Sequence, residues 1–111
     1  TLLSQVPAGT PAFADELFGP VAAVIPARTE AEALRLANAT PFGLGAAVFT
    51  QDLDRARRVA AALESGMVAI NGSVRSEVSL PFGGVKESGF GRELGLWGAR
   101  SFVSVKTVRR F

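Results

Sequence analysis

The chain has 111 residues, a formal net charge of +2, and no cysteine, histidine or tyrosine. Within these residues that excludes disulfide frameworks, zinc fingers, Cys–His dyads and Ser–His–Asp triads, and no metal site is expected. Hydrophobic content of 48% against 20% charged residues suits one small globular domain, or a piece of a larger one.

In chain order, Thr1 to Pro20 is rich in Pro, Gly and Ala and reads as irregular. The apolar run Val21–Ile25, stopped by Pro26, predicts a short buried strand. Thr29-Glu30-Ala31-Glu32 is a capping box, and it predicts a helix running to about Asn38, with Pro41 just beyond its end. Phe42-Gly43-Leu44-Gly45 reads as a turn and Ala46–Phe49 as a second strand. Asp52 is placed to cap a helix over Leu53–Ser65, whose Leu53, Ala56, Val59, Ala60 and Leu63 recur at helical spacing. Gly66 is expected to stop that helix as a left-handed residue. Met67–Ile70 predicts a third strand, and Asn71 to about Gly91 a long glycine-rich loop. A short helix is expected near Glu93–Ser101, and the alternation in Phe102–Val108 predicts a half-exposed edge strand. The order strand, helix, strand, helix, strand predicts an α/β fold: a partial parallel sheet with βαβ crossovers.

Charge is uneven. Residues 1–64 hold seven acids and five bases, whereas residues 65–111 hold three acids and seven bases. The bases are scattered, with no run longer than Arg109-Arg110, so nucleic-acid binding is not expected. No apolar run approaches the roughly 18 residues of a membrane span, and the opening residues lack a signal-peptide pattern. A cytoplasmic location is therefore expected. The chain opens on Thr1 and its sole methionine is Met67, from which a fragment of a longer polypeptide is expected.

Three segments invite a functional reading. The loop Pro81–Gly95 is dense in glycine, but it lacks the Walker pattern, and Gly89-x-Gly91-x-x-x-Gly95 misses dinucleotide spacing by one residue. A tightly packed structural loop competes there with a phosphate cradle. Asp15-Glu16-Leu17-Phe18 pairs a carboxylate, which can accept sugar hydroxyls, with an aromatic that can lie on a planar ring. From the residues alone, a solvated acidic turn beside a buried Phe is the favoured reading, since exposed acids at strand entries are common. Lys86 and Lys106 are the only lysines, and Lys86 sits beside Glu87, which argues against a nucleophilic amine. Structural roles are expected of Arg92, Glu93, Trp97 and Phe102.

Together these segments resemble the C-terminal part of an NAD(P)-dependent aldehyde dehydrogenase, from about Pro11 to Val108. The likeness rests on Glu16-Leu17-Phe18-Gly19-Pro20, Thr40-Pro41-Phe42-Gly43-Leu44, Gly66–Asn71, Pro81–Gly95 and Val105-Lys106-Thr107-Val108, in that order. The wording around Phe82–Gly91 is most similar to the succinate-semialdehyde dehydrogenase branch. The resemblance implies that Glu16 binds the nicotinamide-side ribose and that Phe18 positions the nicotinamide of NAD or NADP. It implies that Phe82 lines the substrate tunnel, that Ser76 helps hold a substrate carboxylate, and that Asn71 ties strand to loop. Arg75 is a further candidate anion-binding group on which the resemblance is silent.

In that family a cysteine thiolate attacks the aldehyde, hydride passes to the nicotinamide, and a glutamate-activated water hydrolyses the thioester. This chain has no cysteine and lacks the expected glutamate context, so no catalytic residue is assigned within it and the fragment alone is expected to be inactive. The implied division is a partial catalytic domain over residues 1–101 and an oligomerisation strand over 102–111, the strand joining subunits into a homodimer or homotetramer. The competing expectation is a stand-alone, non-catalytic module that associates through its last strand.

Overall fold

A computed structural model describes all of residues 1–111. Along the chain run β1 (Leu2–Ser4), α1 (Pro11–Ala14), β2 (Ala22–Val24), α2 (Glu30–Asn38), β3 (Phe42–Gly43), β4 (Gly45–Val48), α3 (Leu53–Ala62), β5 (Met67–Ile70), β6 (Val85–Lys86) and α4 (Gly95–Arg100). Two strand–helix–strand units organise them. β1 and β2 pair in parallel with Leu2 opposite Ala22, and β4 and β5 pair in parallel with Gly45 opposite Met67. β3 and β6 form a two-residue antiparallel ladder, Phe42 opposite Lys86. The expected α/β class and its parallel crossovers hold. The sheet itself is in three two-stranded pieces, because no strand of the chain pairs with members of two different pieces.

The helices begin where their side chains can satisfy free amides. The Thr29 hydroxyl accepts from the Glu32 amide at 3.1 Å, and the Glu32 carboxylate accepts from the Arg28 amide at 2.8 Å. The reciprocal bond thus reaches one residue further back than in an ideal capping box. Asp52 accepts from the Arg55 amide at 2.9 Å and caps α3. That amide is the chief reason the Asp52 carboxyl lies below its ordinary value, helped by the Asp54 amide and the Arg58 and Arg55 charges and opposed by some desolvation. α3 lays Ala56, which is fully buried, toward the β4–β5 pair.

Several expectations need correction. α3 ends at Ala62 rather than Ser65, since Leu63 is already extended. Gly66 is not a left-handed stop. Its constraint is a close approach: a Cβ there would run into the Gly83 carbonyl. The opening residues are not wholly irregular, because β1 and α1 lie within them. Phe102–Val108 forms no strand within the chain. Residues 102–111 are exposed throughout, and none from 104 onward joins a backbone hydrogen bond of the chain. A ladder needs a partner edge, and no other segment offers one to these residues.

Packing is thin. Only Val6, Ala56 and three glycines are buried, while Phe18, Phe90, Val105 and Phe111 are almost fully exposed. The radius of gyration is 17.7 Å, against about 13 Å for a compact domain of roughly this length. No helix is long and apolar enough to cross a membrane.

Candidate functional site

The glycine-rich segment is held by contacts far apart in sequence. Lys86, at a left-handed φ of 55°, donates from Nζ to the carbonyls of Asn38 (2.7 Å) and Thr40 (3.2 Å) and pairs with Glu64 at 2.9 Å. Its charge thereby meets the negative end of α2. Asn38 in turn donates to the Ala62 carbonyl and accepts from the Glu64 amide, both at 2.9 Å, and so joins the ends of α2 and α3. Arg92 donates from Nη1 to the carbonyls of Gly84 (2.6 Å) and Gly91 (2.7 Å). A side chain on Gly83 would strike the Gly91 carbonyl, and one on Gly84 would lie 2.6 Å from Ser88 Cβ. Backbone packed on backbone at Gly83 and Gly84, together with Arg92, makes this part of the loop a structural support.

That support fixes Phe82. Its amide donates to the Glu93 carbonyl at 2.7 Å, and the Glu93 amide donates back at 2.8 Å. Phe82 then stands between two grooves. One, of about 500 Å³, runs along Gly83, Gly84 and Ser88–Glu93 to Phe102. The other, of about 690 Å³, is walled by Leu44, Phe49, Met67 and Phe82, and closed at one end by Gly72–Ser76.

Asn71 sets the start of that closing segment. At a φ of 54° it reverses the chain after β5. Its side chain accepts from the Thr50 amide and donates to the Thr50 carbonyl, both at 2.9 Å. Asn71 thus ties the end of β5 to the residue beyond β4, as the resemblance implies. The clamp places Ser73, Arg75 and Ser76 along the groove that Phe82 walls.

The four residues singled out from sequence therefore fall into two sets. Ser76 and Phe82 share one groove. Glu16 and Phe18 sit in the exposed loop between α1 and β2 and line neither groove beside Phe82. Glu16 makes no hydrogen bond or ion pair, and Phe18, at a φ of 45°, is 91% exposed. An open carboxylate next to an open aromatic face fits a ribose diol and a flat ring. Leu44 and Phe49 were missed as wall residues. Their sequence signal was weak: a turn position and a strand end, each with a large apolar side chain. Arg75 carries the groove's only charge, and its Nε donates a long 3.4 Å bond to the Ser73 hydroxyl.

Residues 1–108 match the model of the aldehyde dehydrogenase family. The chain is 55% identical over its whole length to succinate-semialdehyde dehydrogenase [NADP(+)] of Deinococcus radiodurans, of which it covers 23%. It is 47% identical over its whole length to aminoaldehyde dehydrogenase 1 of Pisum sativum, of which it covers 22%. A solved succinic semialdehyde dehydrogenase of Streptococcus pyogenes, in complex with NADP+, superposes on 93% of this chain with a TM-score of 0.89 and 40% identity, using 23% of its own length. The chain thus spans less than a quarter of the length of these relatives.

Proposed function

Since the chain belongs to the aldehyde dehydrogenase family, we propose that the enzyme carrying these residues oxidises an aldehyde to its carboxylic acid with NAD or NADP. The observation that carries this reading is the groove that joins Phe82 to Ser76. In it, Phe82 packs along the substrate chain and the Ser76 hydroxyl donates to a carboxylate at its far end. Succinate semialdehyde, which ends in such a carboxylate, is the preferred substrate. The aminoaldehyde relative is named for a substrate with an amine in that place, so the charge of the tail divides the two alternatives.

A nicotinamide cofactor, when bound, supplies the hydride acceptor. Of this chain's residues, Glu16 accepts the hydroxyls of the nearby ribose and Phe18 packs by the flat ring; their openness supports both roles. The nucleophilic thiolate and the hydrolytic base come from other parts of the polypeptide, since this stretch has no cysteine. Alone, the 111 residues do not turn over. Residues 102–111 pair with the sheet of a neighbouring subunit and build a homodimer or homotetramer in the cytoplasm. The exposed alternation of that tail supports the pairing.

The test is aldehyde-dependent NAD(P)H formation by the complete protein. Turnover of succinate semialdehyde with at least one cofactor is expected. Absence of turnover with every aldehyde and both cofactors contradicts the reading, as does turnover by residues 1–111 alone.

A further inference from the structure

The groove beside Phe82 is electrically one-sided. Of its twelve lining residues, Arg75 alone is charged, and no acid faces it there. The Arg75 guanidinium has no ion-pair partner, and its single side-chain bond, to Ser73, is long. The nearest acid by position is Glu77, which shares with Arg75 the adjoining cleft along Val68, Ala69 and Leu80 but forms no ion pair with it and instead accepts from the Ser79 hydroxyl at 3.2 Å. An unpaired guanidinium has most of its donors still to satisfy. Arg75 and Ser76 are both exposed at the end of a groove walled by Leu44, Phe49, Met67 and Phe82, so both can be reached by the far end of a chain lying in it.

From this we infer that Arg75 is the residue that sets the sign of the substrate's tail. Its planar fork pairs with the terminal carboxylate of a semialdehyde, Ser76 adds a neutral donor alongside, and an ammonium tail is repelled. The inference rests on the aldehyde-oxidising reading and names what that reading leaves open, namely the group that distinguishes anionic from neutral and cationic aldehydes.

Arg75→Gln and Arg75→Lys in the complete enzyme test it, with kcat/KM measured for succinate semialdehyde and for butanal, a neutral aldehyde of equal carbon count. Arg75→Gln is expected to lower the ratio of the two by about 10- to 100-fold, the range of one charge-assisted pairing, chiefly through KM for the semialdehyde. Arg75→Lys is expected to retain most of the ratio, because it keeps the charge. An unchanged ratio in Arg75→Gln overturns the inference, as does an equal loss on both substrates, which marks a purely structural role. A wild-type enzyme that oxidises both aldehydes with no preference for the carboxylate overturns it too, while leaving the aldehyde-oxidising reading intact. A wild-type enzyme that oxidises neither removes that reading as well.

Discussion

The loop Pro81–Gly95 and the tail Phe102–Phe111 reverse what their sequences promise. The loop has no periodicity and five glycines, yet Arg92, Lys86, the Phe82–Glu93 bridge and the Gly66–Gly83 approach hold it in place. The tail has the cleanest alternation in the chain and forms no ladder. Alternation specifies which face a strand would bury, but the ladder itself needs a second backbone. Glycine, for its part, lets backbone pack on backbone, and that order is invisible to hydrophobic pattern.

The largest effect that sharpens this contrast is expected at Gly66. Gly66→Ala drives a methyl into the Gly83 carbonyl, backbone against backbone, and is expected to cost about 3 kcal/mol or to abolish folding. Gly91→Ala, at a position with nothing within 4 Å of an added Cβ, is the matched control and is expected to shift stability by less than about 0.5 kcal/mol. Denaturant unfolding of the complete protein reads both. Equal effects at the two positions would mean that glycine content, and not close approach, matters in this loop.

Next in size is Arg92→Leu. It strips donors from the carbonyls of Gly84 and Gly91 and is expected to cost about 1–3 kcal/mol in the same measurement. Lys86→Met removes two donated bonds at the end of α2 and the pair with Glu64, for about 1–2 kcal/mol. A smaller effect follows from Asp52, whose carboxyl is held below its ordinary value of 3.8. A depressed folded-state value means that the contribution is complete above the unfolded value and fades as pH falls through the folded one. Wild type should therefore lose stability below about pH 4 more steeply than Asp52→Asn, as unfolding midpoints across that range would reveal. Smallest of all is truncation after Ser101. It removes only the two backbone bonds that Phe102 and Val103 donate at the end of α4, to Ala99 (3.2 Å) and Arg100 (3.4 Å), and should move the unfolding of dissociated subunits by less than about 1 kcal/mol, while weakening any subunit association through the tail. A large loss of stability in the dissociated subunit would show that the tail packs on its own chain.

What the sequence made legible was chiefly what its near neighbours decide. Asp52 and Thr29 lie within three residues of the amides they cap, and both helices start where expected. Met67–Ile70 is bounded by Gly66 and Asn71 and forms over the predicted residues. What stayed hidden depends on distant partners. β3 and β6 are two residues each and exist only through each other. β1 is three residues long and is defined by its register with β2. The reach of Lys86 to Asn38 spans 48 positions, and no local pattern encodes it. The same division runs through the site. Ser76 and Phe82 were named from a resemblance and do line one groove, whereas Leu44 and Phe49 complete its wall only because β4 and the loop come together.

The central claim is that these residues form the substrate-tail end of an aldehyde-oxidising enzyme. It is tested most directly by comparing succinate semialdehyde, butanal and an aminoaldehyde as substrates of the complete protein, following NAD(P)H formation with each cofactor. The account predicts turnover with the highest kcat/KM for the semialdehyde and the lowest for the aminoaldehyde. No NAD(P)H formation with any of the three, or a preference for the cationic tail, would contradict it.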